Sequence, residues 1–249
     1  EIEPKPGANH CVALALVAQG EFSSAARHLE AMATTRVPVS TDRENEWRMT
    51  EARRIDLLAQ AANAWLLAER SESAHALFSS ILSRPDVNGE ARGELLIDRA
   101  RALAVLDDMR GAIADLDSAI VLLGYRADIL TFRAGARRSL GLFSDALADA
   151  DRALKMAPND ADALFERGNA RYDMGDREGA REDWMRAVEV APGTLTADAA
   201  ARNRHASEGR PMPSGLELST PQELLDQAPA LDALDAAQQP SQALTDPVP

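Results

Sequence analysis

Residues 161–194 read ADALFERGNARYDMGDREGAREDWMRAVEVAPGT, and the fold follows from this stretch. Leu164, Gly168, Arg171 and Tyr172 recur at intervals of three and four, the spacing that puts side chains on one face of a helix. Gly175 and Asp176 supply a turn. A second helical face follows with Ala180, Trp184 and Ala187, and Pro192 stops it. Gly168 and Ala180 mark a close crossing of the two helices, where a bulky side chain would push them apart.

The same residue types return at an interval of 34 residues. Pro158 and Pro192 are one interval apart, and Gly124 holds the matching place one unit earlier. Ala112, Ala146 and Ala180 keep this register, as do Ala119, Ala153 and Ala187, and Ala100, Ala134 and Gly168. A helix-turn-helix unit of this length cannot bury its apolar face alone, so such units stack. Residues 127–160 and 93–126 give two further clear units. Weaker ones lie at 55–82 (Leu58, Ala62, Trp65, Ala74, Phe78, Ile81) and 9–35 (Ala13, Leu16, Gly20, Phe22, Ala25, Leu29).

Together the small residues, turn and terminal proline resemble the tetratricopeptide repeat (TPR) of bacterial type, including the variant whose first helix reads RGNAxY, here Arg167 to Tyr172. The resemblance implies an all-α fold, a right-handed α-α superhelix or solenoid. It would hold about five helix pairs, with a long helix in the second unit, a C-terminal capping helix and a Pro-rich tail. The expected organisation is an N-terminal extension over 1–8 and a solenoid over 9–206. Its units fall at about 9–39, 42–88, 93–126, 127–160 and 161–194, with a cap at 195–206. An acidic Pro-rich tail occupies 207–249.

Two irregularities interrupt the array. Thr41 with Glu44 forms a capping-box signature, and no breaker follows until Glu69–Ser73. This predicts one long helix from about 42 to 69, with Trp47 packing on the first unit or meeting a partner. Pro85 and Asn88-Gly89 give turn chemistry to the connection over 83–90. Beyond the last unit, Leu195, Ala199 and Ala200 are expected on the inner face of the cap. In the tail, residues 211–249 carry six acids, no base and seven prolines. The stripe Leu224, Leu225, Ala228, Leu231 and Leu234 predicts short helical segments at about 221–237 that need a surface to dock on.

The 249 residues carry a net charge of −13, which argues against a nucleic-acid partner. No apolar run reaches the roughly 20 residues that span a bilayer. The chain opens on Glu1 rather than methionine, so removal of a signal peptide and a periplasmic or exported location are expected over a cytoplasmic one. No catalytic, cofactor or metal motif is found. His10, His28, His75 and His205 are scattered, and Cys11 is expected as a small buried apolar residue. One charged pattern does repeat: Arg99, Arg133 and Arg167 share the 34-residue register, as do Asp115, Asp149 and Asp183. An ion pair between the two helices of each unit is expected, with a charged recognition ladder as the alternative.

In the family it resembles, the first helix of each unit lines a concave groove that binds a peptide or helix of another protein. Carried over to this chain, that implies groove residues Asn63, Leu66, Leu67, Arg101, Val105, Thr131, Arg138, Phe165, Asn169, Tyr172 and Asp173. The set lacks the dense basic clamp by which family members hold a terminal carboxylate. A non-catalytic interaction scaffold is therefore expected, without cofactor, with the tail docking in its own groove as a refinement. The alternative is a self-associating structural subunit of a cell-envelope assembly; an enzyme is not expected.

Overall fold

A computed structural model of the chain describes residues 6–35 and 50–209. Among the described residues there are eleven helices and no strand. They form five antiparallel pairs and a closing helix: α1 (Pro6–Ala18) with α2 (Phe22–Thr34), α3 (Glu51–Leu67) with α4 (Ser71–Leu82), α5 (Gly89–Val105) with α6 (Met109–Leu123), α7 (Ala127–Ser139) with α8 (Phe143–Met156), α9 (Ala161–Asp173) with α10 (Arg177–Val190), and α11 (Leu195–Ser207). Each helix packs on the next. First helices of neighbouring pairs also meet, α3 with α5, α7 with α9 and α9 with α11. Contacts confined to near neighbours are the hallmark of a solenoid.

The sequence register becomes a packing register. Leu96, Leu130 and Leu164 are buried, as are Ala112, Ala146 and Ala180 and also Ala119, Ala153 and Ala187. Among the described residues, alanine supplies more than half of the buried apolar positions. Side chains this small let helix axes approach to about 8 Å, the short end of the usual range. At Gly168 an added Cβ would lie 2.7 Å from the Trp184 indole nitrogen, so only glycine admits that ring between α9 and α10.

Cap chemistry sets the helix ends. The described helix of the second unit, α3, has 17 residues, the same as α5 and four more than α7 and α9. It starts later than the predicted 42, because the Thr50 backbone is extended and its side chain accepts from the Arg53 N–H at 3.1 Å. Thr41, Glu44 and Trp47 lie outside the described residues, as do the helical segments expected at 221–237. Two side chains face the other way from expectation. Leu195 is 59% exposed, while Ala197, Ala200 and Ala201 form the inner face of α11. Cys11 is exposed while Ala13 is buried. In both cases two residues rotate the helix by about 200°, so neighbours at that spacing take opposite sides.

The turns repeat as well. Asp107, Gly141 and Gly175 are 34 apart and have left-handed φ of 63°, 75° and 90°. Glu69 makes the equivalent turn at φ 58°. A Cβ at Gly141 would meet nothing within 4 Å, so any cost of a side chain there is purely conformational. Gly141→Ala is expected to lose about 1 kcal/mol, lowering Tm by about 2–4 °C. Glu69→Gly, the reverse change, should raise Tm. Thermal unfolding of the two variants checks both signs.

Charged side chains then tie hairpin to hairpin. Arg99 makes a bidentate pair with Asp115 at 2.7 and 2.7 Å, Arg133 with Asp149 at 2.8 and 2.7 Å, and Arg167 with Asp183 at 3.0 and 2.6 Å. The third guanidinium nitrogen reaches the second helix of the preceding hairpin. Arg133 contacts Asp117 on α6 at 2.6 Å, Arg167 contacts Asp151 on α8 at 3.2 Å, and Arg99 contacts the Ser79 hydroxyl on α4 at 3.4 Å. Each arginine is thus a joint among three helices. Arg137 and Arg171 add a second cation to Asp149 and Asp183 at 2.6 and 2.9 Å.

In the second hairpin, whose turn residue Glu69 stands 38 residues before Asp107, both matching places are apolar: Ala61 for Arg99 and Leu77 for Asp115. Both belong to one core cluster, Ala61 fully buried and Leu77 packed against it. The fold therefore accepts an intact ion pair or an apolar pair at this joint. Half a pair is a different matter, because the remaining charge is stranded. Asp149→Ala is expected to cost about 3 kcal/mol in chemical denaturation, and Arg133→Ala with Asp149→Leu, the second hairpin's pair, distinctly less than that. The exposed Arg186–Glu189 pair serves as control, with a change below about 0.5 kcal/mol on truncation.

Candidate functional site

The ladder lies between the first and second helix of each hairpin, which leaves the opposite side of the first helices open. On that side α5, α7, α9 and α11 enclose a trough of about 560 Å³, with α6 contributing Met109, Ala112 and Leu116 to its floor. Small residues (Ala100, Ala104, Gly135, Ala136) keep the helix backbones accessible. Larger apolar groups rise between them. Val105 is 70% exposed and Phe132 is 42% exposed. The Arg101 guanidinium lies 4.8 Å from the Phe132 ring centroid, a cation–π contact.

The polar walls are charged and already partly paired. Arg101 contacts Asp98 at 3.1 Å, and Arg138 contacts Glu166 at 3.0 Å and Asp173 at 3.7 Å. Asp160 caps α9 by accepting from the N–H groups of Asp162 and Ala163. Thr196 of α11 donates to Asp162, closing the trough at one end. Burial lifts the Asp98 carboxyl above the ordinary aspartate value, against the pull of Arg101 and Asn63, and Glu94 adds to the lift. Burial likewise lifts Glu166 against the pull of Arg138 and Asn169, with Asp162 adding to it. Neither carboxylate is fully compensated by its neighbours.

Of the residues implied by the resemblance, Arg101, Val105, Thr131, Arg138 and Phe165 line the trough. Thr131 turns its hydroxyl to the Ala127 carbonyl at 2.9 Å. Asn63, Leu66 and Leu67 lie on α3, beyond its edge: Asn63 donates to Asp98 at 3.2 Å, Leu66 packs on the core, and Leu67 is 55% exposed. At the other end Asn169 is buried and accepts from the Trp184 indole at 3.0 Å and the Asn203 amide at 2.8 Å, joining α9 to α10 and α11. Tyr172 leans on Trp184 with ring centroids 5.6 Å apart. Asp173 meets the trough only through Arg138.

Asp98, Phe132 and Glu166 were absent from that set. They are 34 residues apart, each directly before a ladder arginine, so the period itself marks them. Among the described residues no group of three or more His, Cys, Asp or Glu could hold a metal ion. No helix among them is long and apolar enough to cross a membrane.

This architecture is the tetratricopeptide-repeat fold. Solved structures that share it include YrrB, described as a TPR protein with an unusual peptide-binding site (18% identity over 78% of this chain and 90% of that one, TM-score 0.54). A putative kinesin light chain of Podosopora anserina with nearly identical TPR-like repeats has 15% identity over 76% of this chain and 97% of its own, with a TM-score of 0.60. MamA has 16% identity over 74% of this chain and 92% of its own, with a TM-score of 0.54. At such identities the likeness is one of fold. No protein-family model matches the sequence, and no curated protein matches it significantly.

Proposed function

We propose that this protein is a non-catalytic scaffold that holds a peptide segment or helix of another protein in the trough of α5, α7, α9 and α11. The observation that carries this reading is the exposed apolar pair Val105 and Phe132 inside a concave surface with charged walls. Such a surface supplies apolar anchors and a polar rim, the division of labour found at peptide-recognition grooves. Wall residues engaged in ion pairs and caps position a ligand rather than attack one, which supports a role without catalysis. YrrB, of the same fold, is described as having a peptide-binding site.

Two finer arrangements bear on the occupant. The leucine stripe of the chain's own tail suits the trough floor, but its six acids and lack of any base do not suit walls rich in carboxylates. That favours a partner in trans. Self-association would instead use α6 outside the trough, where Val121 is 83% and Leu122 41% exposed. Sedimentation at two protein concentrations separates that alternative.

The test is selection of peptides from a random display library against the full chain. Val105→Asp should weaken the selected peptides by about tenfold or more, while Val121→Asp leaves them unchanged. Peptides insensitive to Val105→Asp but lost with Val121→Asp would place recognition on the other face.

A further inference from the structure

Resting on the reading of the trough as a docking site, we infer that its partner is a basic amphipathic helix, with lysine or arginine on both sides of an apolar stripe. Two acid pairs at i,i+4 stand at the trough: Asp162 and Glu166 of α9 line it, and Glu94 and Asp98 of α5 lie at its edge, where Asp98 pairs with the lining Arg101. Like charges at this spacing destabilise a helix. A local rule broken twice at the same surface is the mark of a functional constraint. Of the charged groups that line the trough, Asp128, Asp160, Asp162 and Glu166 stand against Arg101 and Arg138, and Arg126 beside them is shared between Glu94 and Asp128. Arg138 is shared between Glu166 and Asp173, and among the described residues Asp162 has no ion pair. Burial has already made Asp98 and Glu166 costly to ionise, so a cation brought by a ligand gains more there than at a solvated carboxylate.

The arrangement of charge and apolar surface defines the ligand's shape. The acid pairs lie on α5 and α9, one on each side of α7, and α7 presents Phe132 between them. A helix whose apolar stripe rests on Phe132 and Val105 can extend long basic side chains to both acid pairs. Burying its stripe removes the exposed apolar area, and its cations complete the half-neutralised walls. The chain's own segment 211–249, with six acids and no base, is the wrong sign for this place.

The experiment uses the full chain and three fluorescent peptides of about 18 residues. One is a leucine–lysine amphipathic helix, one has glutamate for every lysine, and one is the lysine peptide scrambled to destroy its stripe. Fluorescence anisotropy at about 0.15 M salt reads the affinities. The lysine helix should bind at least about tenfold more tightly than either of the others. Asp98→Asn with Glu166→Gln should weaken it about tenfold while leaving Tm little changed, since loss of the pairs with Arg101 and Arg138 is offset by relief of carboxylate burial and like-charge repulsion. A merely structural role for the two acids would instead lower Tm. The synthetic segment 219–237 of this chain should fail to displace the probe. The assignment is overturned by equal or tighter binding of the glutamate helix, by equal binding of the scrambled peptide, by an unaffected double variant, or by displacement with 219–237. Loss of lysine-helix binding in Val105→Asp but not in the double variant overturns the charge assignment alone and leaves the trough as the docking site. No binding of any helix, while library-selected peptides still depend on Val105, overturns the helical partner and likewise spares the trough.

Discussion

The bidentate contact between one arginine and one buried aspartate, repeated in three successive hairpins, is the constraint on which this structure depends. Stacked alanine-rich helices have little shape to hold them in register, because small side chains slide past one another at little cost. A guanidinium fork that must meet two carboxylate oxygens fixes distance and rotation together. Arg133 meets Asp149 within its own hairpin and Asp117 in the one before, so a single side chain fixes both the closure of a hairpin and its seat on its neighbour. Buried ion pairs add less stability than their geometry suggests, because both partners lose water. Their contribution here is register. The Ala61 and Leu77 positions show that an apolar pair serves where a hairpin meets a differently shaped neighbour.

That division of roles explains the trough. The ladder and the largest buried rings, such as Trp184, lie between helices, so the first helices need carry no bulk on their concave side. Ala100, Ala104 and Ala136 leave a shallow floor, from which Val105 and Phe132 project. Ladder and trough residues are also adjacent in sequence. Asp98, Phe132 and Glu166 each precede a ladder arginine, so one helical step separates the side chain that sets register from one at or beside the trough.

Much of this was legible in the sequence. The period, the close crossing at Gly168 and the three ion pairs follow from residues that keep a fixed spacing, since a repeat multiplies each local signal. Helix ends and side-chain directions were less legible. Thr50 starts α3 although Thr41 with Glu44 carries the stronger capping pattern, since a cap is decided by backbone conformation that the sequence does not show. Leu195 faces out because the cap helix turns its alanines inward, against the usual bias of leucine toward burial. Within the trough, Arg101 and Arg138 could be placed by repeat position. Asn169 and Tyr172 hold equivalent positions but serve Trp184, because the last hairpin must also seat a closing helix.

If the ladder couples hairpins as the geometry implies, α5 through α10 should open as one unit, while α1 and α2, which carry no ladder arginine, open separately. Native-state hydrogen exchange of the full chain across sub-denaturing concentrations measures this most directly. The account predicts that protection in α5 through α10 converges on one opening free energy, above that of α1 and α2. Independent opening of α7 and α8, with α9 and α10 still protected, would contradict it.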